Sequence, residues 1–456
     1  MKNLPTMGLS LALVLVTSHA LAQPKAHQSS GDWAWKDAVQ APPKNWNGPT
    51  FTLSDQYPKT QPSCNATNCP WLNIAIPMGV NFDQPESPSW EQEQRYQQYI
   101  MAILDYVKRG QSADLNNNDG FQTNIDGEDR WFHIPWMAFD QRTGREFVHG
   151  LTNERTASLG DFFGKPWQGL HSLPDSSAGY ETWAVGMYND IGAYTIGQGW
   201  DPAGLPVISQ QNGITTTKGM PFAEGTVVVK FLFSTVPPSQ VAYLQGSPKW
   251  QANRHRQQDK QYLCQRQVQD VHLVQVDVAV VDKRSPTRWV YGTFAYINRN
   301  GATVWDNLQP VGLQWGMDPW TFPAVPQAAS LPVQQSVLNT QIRAFEHFGC
   351  NGRLAGPVDN KQSSCLSCHG GAYANQAGAT FEIGSYSPPI FGFDGLCTQF
   401  SQDNVNYFQT TQFPQDYSGG NYPNLMNLDT SLQMQIALQQ WNLFEQAGQP
   451  AQCEDK

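Results

Sequence analysis

The chain has 456 residues, 14% of them charged, 40% hydrophobic and 16 of them tryptophan. That is length for two or three domains and enough aromatic surface for large cores or aromatic-lined grooves. The formal net charge of -10 argues against a nucleic-acid binder, because phosphates are matched by a basic surface.

The N-terminus carries Lys2, an apolar run from Met7 to Val16 and then Ala20-Leu21-Ala22. A positive region, a short apolar region and a small-x-small site are the parts of a cleavable export signal. The run is shorter than the roughly 20 apolar residues a membrane-spanning helix needs. Residues 1–22 are therefore expected to be a signal peptide. The mature chain is expected to be periplasmic, with extracellular release as the alternative, and to keep no transmembrane segment.

Residues 23–86 are polar, Pro-rich and dotted with tryptophan, and read as an extended lead-in. A β-rich domain with an N-terminal helix is expected over 87–318. In that helix Ser87 can cap, Pro88 suits the first turn and Gly110 can close. Tyr96, Tyr99, Ile100, Ile103, Leu104 and Val107 recur at helical spacing and predict one buried face. Strands follow. Val227, Val229, Phe231 and Phe233 alternate, as do Val274, Val276, Val278 and Val280, and Trp289–Ile297 is a third β-rich run. Long turns without regular helices between them predict an antiparallel, sandwich-like sheet.

Residues 319–332 hold four prolines and read as a linker. Over 333–456 the helical period returns. Val337, Leu338, Ile342, Phe345 and Phe348 predict a helix that Gly349 ends, and a closing helix is expected from about Thr430 to Gln446, capped by Asp429. The fold class is thus α+β: a β-rich N-terminal region followed by a small helical domain.

Between those two helices stands Ser363-Ser-Cys-Leu-Ser-Cys-His369. Chance would produce C-x-x-C-H roughly 0.003 times in a chain of this composition. A zinc site needs two further ligands, usually as a second close pair, and downstream there are only Cys397 and Cys453, with no later histidine. A redox dithiol usually sits in a βαβ context, of which there is no sign here. Covalent haem meets the remaining requirements: Cys365 and Cys368 can form thioethers to the two vinyl groups, and His369 is then the proximal iron ligand. The cofactor expected is one covalently bound heme c.

The stretch from Pro332 to Lys456 resembles the helical c-type cytochrome domain. Gly352-Arg-Leu-Ala-Gly-Pro-Val-Asp-Asn360, with RWFHIPWM at 130–137, GREFVHGLTNER at 144–155 and LQWGMDP at 313–319, is similar to bacterial secreted proteins that carry such a domain behind a β-rich region. The resemblance implies haem binding and electron transfer with an unidentified redox partner protein or small-molecule donor or acceptor, and it implies no particular substrate.

Small c-type cytochromes often take a methionine as sixth ligand, from the loop before the last helix. Met426 is in that place, and Met434, inside the helix, is the second choice and reads equally as core filler. His133 and His149 stand as further candidates, each also readable as a structural histidine, and His347 reads as surface. An open iron is the remaining option. Two axial ligands would make an electron relay, whereas a vacant position would permit peroxide or ligand chemistry.

Six other cysteines, Cys64, Cys69, Cys264, Cys350, Cys397 and Cys453, suggest disulfides in an oxidising compartment, Cys64 and Cys69 as a local pair. Asp114, Asn116 and Asn118 alternate as in calcium loops but lack the closing acid, so they read as a turn. The tryptophans from Trp305 to Trp320 could line a sugar-binding groove or fill a core. The expected function is a periplasmic monohaem c-type cytochrome that transfers electrons. The alternatives are a haem-dependent oxidoreductase with its substrate on the β-rich domain, and a secreted carbohydrate- or partner-binding module with a structural haem.

Overall fold

The protein is described by a computed structural model over residues 34, 45–46, 53–76, 78, 89–91, 94–112, 123–124, 130–137, 139–140, 144–145, 151–163, 179–201, 203–206, 220–255, 266–316, 335–346, 349–361, 363–370, 372–377, 380–382 and 425–447. The expected signal segment 1–22, the linker 319–332, the alternating residues 114–118, His149 and His347 lie outside these described residues.

Alternating β-branched and aromatic residues build one large antiparallel sheet. After a two-stranded hairpin of β1 (Phe139–Asp140) and β2 (Gly144–Arg145) come β3 (Leu151–Ala157), β4 (Tyr180–Tyr188), β5 (Val227–Ser234), β6 (Lys249–His255), β7 (Arg266–Val281), β8 (Trp289–Tyr296), β9 (Leu308–Gln314) and β10 (Ser336–Leu338). Their order is β10-β9-β8-β7-β5-β4-β3, with β6 beside β7. His272 pairs with Ser234 of β5 and with Lys249 of β6. Strands β6 and β8 therefore follow one another along one edge of β7, and β5 takes the other edge. The chain is α+β and rich in antiparallel strand. Beyond the large sheet the described residues hold a smaller three-stranded one, whose Ala374 shares a core with Trp289 and Tyr291 of the large sheet.

Because side chains alternate across a strand, each face has its own composition. Val227, Val229, Phe231 and Phe233 of β5, Val276, Val278 and Val280 of β7, and Val290 and Phe294 of β8 belong to a first core. On it lies helix α1 (Gln94–Val107), whose buried residues are Tyr96, Tyr99, Ile100, Ile103, Leu104 and Val107, as its spacing predicts. Gly292 lets the helix approach, since a Cβ there would stand 2.8 Å from Ile100 Cδ1. A second core gathers Val281, Trp289 and Tyr291 with Ala193 and Ile196 of helix α2 (Asp190–Gly199).

The region after the expected linker differs from its sequence reading. Ser336–Leu338 is not the start of a helix. It pairs with Gly312–Gln314 as the edge strand β10, and turns follow. Val337, Ile342 and Phe345 are still buried in the first core, which explains the pattern: a short apolar series marks burial without fixing the element that delivers it. Residues 365–369 form the one-and-a-half-turn helix α3 (Cys365–His369). Beyond it, β11 (Tyr373–Ala377), β12 (Thr380–Glu382) and β13 (Leu425–Asn427) make a three-stranded sheet. The closing helix, α4 (Leu432–Ala447), lays Met434, Ala437 and Leu438 on the second core. Its cap is Ser431, whose Oγ accepts the Met434 N–H at 3.2 Å; Asp429, expected as the cap, points elsewhere.

The lead-in is packed, although it holds little regular structure. Leu53, Trp71 and Ile76 join the first core, and Ser54 bridges to Phe132. Cys64 and Cys69 form the expected local disulfide. Cys350 is also disulfide-bonded, to a partner outside the described residues. No described helix is long and apolar enough to cross a membrane.

Candidate functional site

Helix α3 is short, so its position depends on contacts at both ends. Ser364 caps it, accepting the Ser367 N–H at 3.2 Å. The Cys365 N–H donates to the Leu354 carbonyl at 2.9 Å. Gln314, fully buried at the end of β9, reaches the same end with both halves of its amide. Its Nε2 donates to Ser364 Oγ at 3.2 Å and its Oε1 accepts the Leu366 N–H at 3.2 Å. One sheet side chain thus ties the start of α3 to the sheet.

At the other end His369 Nδ1 lies 2.9 Å from the Thr430 carbonyl oxygen. A carbonyl only accepts, so Nδ1 carries the proton and Nε2 keeps its lone pair. Burial holds the imidazole neutral, its pKa lowered to about 4. The ring sits 4.9 Å from the Tyr291 ring. Cys365 and Cys368 are free thiols, Cys365 partly covered and Cys368 exposed. Burial, with the charges of Asp359 and Asp277 adding to it, pushes the Cys365 thiol well above its usual range.

The sheet face beneath is polar. Lys230, Asp277 and Thr293 stand opposite one another on β5, β7 and β8. Thr293 donates to Asp277 at 2.7 Å, and its hydroxyl also reaches the Cys365 thiol. The Gln275 amide nitrogen donates to both Asp277 oxygens at 2.8 Å and to Asp359 at 3.0 Å. Lys230 pairs with Glu154 at 2.6 Å. Burial, then the neighbouring charge of Asp359, raises the Asp277 carboxyl from 3.8 to about 8. An acid pair bridged by one amide stands beside two thiols and an imidazole, and the perturbed Asp277, Cys365 and His369 are a concentration of the kind that marks functional sites.

Sequence reasoning finds Cys365, Cys368 and His369, and the structure places all three on one short helix. It misses Gln314, Asp277, Asp359, Tyr291, Thr293 and Thr430. One signal was available: Asp277 interrupts the apolar run Val274-Gln-Val-Asp-Val-Ala-Val280. Met426 lies in β13, opposite Ala374 and near the residues that follow His369. Met434 is wholly buried in the second core, where its methyl group and that of Met220 crowd Gly199. His133 is buried, and burial lowers its pKa to about 4. Trp305 and Trp315 are buried in the first core. No group of three or more His, Cys, Asp or Glu residues among the described ones is placed to hold a metal ion.

Compared with known proteins, no family model matches the chain, and neither a curated protein nor a solved structure matches it.

Proposed function

We propose that this chain is an exported monohaem c-type cytochrome whose haem is attached through Cys365 and Cys368, with His369 as proximal iron ligand. The observation that carries the reading is the His369 Nδ1 contact with the Thr430 carbonyl, 2.9 Å long. It fixes a neutral imidazole with Nε2 available, which is the form an iron ligand takes. The two thiols on the same short helix are free. Their surroundings count against a redox dithiol, whose cysteine pKa is depressed: Cys365 does open helix α3, yet burial raises its pKa. Two carboxylates act on Cys365 in the same sense as burial. When bound, the haem supplies a one-electron couple. The chain's own part is to hold the imidazole, anchor the thioether sulfurs and set the polarity at one edge through Asp277, Asp359 and Thr293. Met426 remains the proposed distal ligand, and the disulfides at Cys64–Cys69 and Cys350 support the proposed periplasmic location.

The test is expression in a host with haem-attachment machinery. Wild-type protein should stain for covalent haem, and the double variant Cys365→Ala, Cys368→Ala should not. Staining that survives the double change would overturn the assignment.

A second reading, a haem-dependent oxidoreductase, is favoured by the polar row Lys230–Asp277–Thr293 next to the motif. It predicts a visible spectrum that changes on adding cyanide or peroxide; an unchanging six-coordinate spectrum leaves the electron relay.

A further inference from the structure

The carbonyl that accepts the His369 Nδ1–H bond belongs to an unusual turn. Asp429 and Thr430 both have positive φ, 47° and 65°. Neither is glycine, and threonine is β-branched, for which the left-handed region is a genuine outlier. Such strain persists only where the surroundings over-determine it.

The surroundings here come from far away in sequence. Asp429 is held from distant segments: Oδ2 accepts the Phe222 N–H at 2.7 Å, Oδ1 accepts the Trp289 indole N–H at 3.0 Å, and Arg288 Nη1 lies 3.4 Å from Oδ2. Arg288 itself has φ 66°, and its Nη2 donates to the Phe222 carbonyl at 2.7 Å. Thr430 is held by Tyr291, whose hydroxyl donates to Thr430 Oγ1 at 2.6 Å. The next residue, Ser431, is tied to Tyr188 at 2.6 Å. Trp289 and Tyr291 are alternate residues of β8, so they project from one sheet face. The Tyr291 ring also lies against the His369 ring, tilted to it.

We infer that Asp429 and Tyr291 are positioning residues: together they latch the 429–430 turn in its left-handed form, so that the Thr430 carbonyl fixes the tautomer, orientation and donor strength of the His369 imidazole. The inference rests on the reading of His369 as an iron ligand. A hydrogen bond from the far ring nitrogen makes an imidazole a stronger donor to a metal, and a stronger donor favours the oxidised iron. Loosening the latch should therefore raise the reduction potential. This assigns the β-rich region a direct part in tuning the haem site.

The experiment measures the haem midpoint potential by reductive titration in Tyr291→Phe, Asp429→Asn and Asp429→Ala, with covalent haem staining and thermal unfolding on each. Tyr291→Phe keeps the ring and removes one hydroxyl. Asp429→Asn keeps an acceptor for the Trp289 indole. All three should stain like the wild type. The reduction equilibrium should shift toward the ferrous form by about tenfold, ~59 mV for one electron, in Asp429→Ala, and by less in the two milder variants. Folded, stained variants with the wild-type potential would overturn the latch. Should the wild type fail to stain, the haem reading falls by itself. The latch is then read from hydrogen exchange of the His369 Nδ1–H by NMR: faster exchange in Tyr291→Phe and Asp429→Asn supports it, and unchanged exchange overturns it.

Discussion

The two faces of the central sheet are built from the same strands and differ in kind. On one, Val229, Phe231, Val276, Val278 and Phe294 meet Ile100, Ile103 and Leu104 of α1 in a dry interior. On the other, the intervening positions are Lys230, Asp277, Tyr291 and Thr293. Helix α3, the 429–430 turn and Asp359 lie against them through the Gln314, Tyr291, Thr430 and Gln275 hydrogen bonds. The first face secures the fold through area removed from water. The second spends polar side chains and left-handed backbone on placing two thiols and an imidazole. A strand's alternation thus lets one sheet serve as scaffold on one side and as site on the other.

The sharpest way to separate the faces is to weaken each in turn. Ile103→Ala removes a fully buried side chain from the dry face. It should cost about 2–5 kcal/mol, as large-to-small core changes do, read by denaturant unfolding. Protein that does fold should still stain for covalent haem. Loss of staining in folded Ile103→Ala protein would mean that the faces are not independent.

Gln314→Ala breaks the comparison from the other side. It leaves the Leu366 N–H and the Ser364 hydroxyl without their sheet partner, a loss of about 1–3 kcal/mol for unsatisfied buried groups. The damage should fall on the motif: native-state hydrogen exchange should speed up in 364–369 well before it does in α1. Equal acceleration in both would contradict a local role.

A further separation of the faces concerns pH. The Asp277 carboxyl rises in the folded state to about 8, chiefly through burial. A carboxyl raised above its unfolded value binds its proton more tightly when folded. The native state therefore loses stability from this group as pH climbs from about 4 toward 8, and above that window the loss is complete. Asp277→Asn cannot ionise, so its melting temperature relative to the wild type should be higher at about pH 9 than at about pH 5. A constant difference between the two profiles would contradict the buried-acid account.

Much of the scaffold was legible because burial leaves a period. The apolar face of α1 matches its spacing residue for residue, the strands at 227–234 and 289–296 lie where alternation places them, and the alternation over 274–280 falls inside the longer β7. The helix expected over 337–348 failed because a few apolar residues at mixed spacing suit a buried edge strand and turns as well as a helix. At the site, Cys365, Cys368 and His369 announce themselves by covalent spacing. Their supports do not. Gln314, Tyr291 and Asp429 are ordinary residues in local sequence, and their roles come from contacts spanning 50 to 207 positions. Only Asp277, a charge inside an apolar strand, leaves a mark that a reader of the sequence could weigh.

The central claim is that a porphyrin is carried on the two sulfurs of α3. Intact mass spectrometry of the mature protein, made in a host able to attach haem, tests it most directly. The account predicts a single species heavier than the disulfide-bonded polypeptide by one haem. A mass equal to that of the polypeptide alone would contradict it.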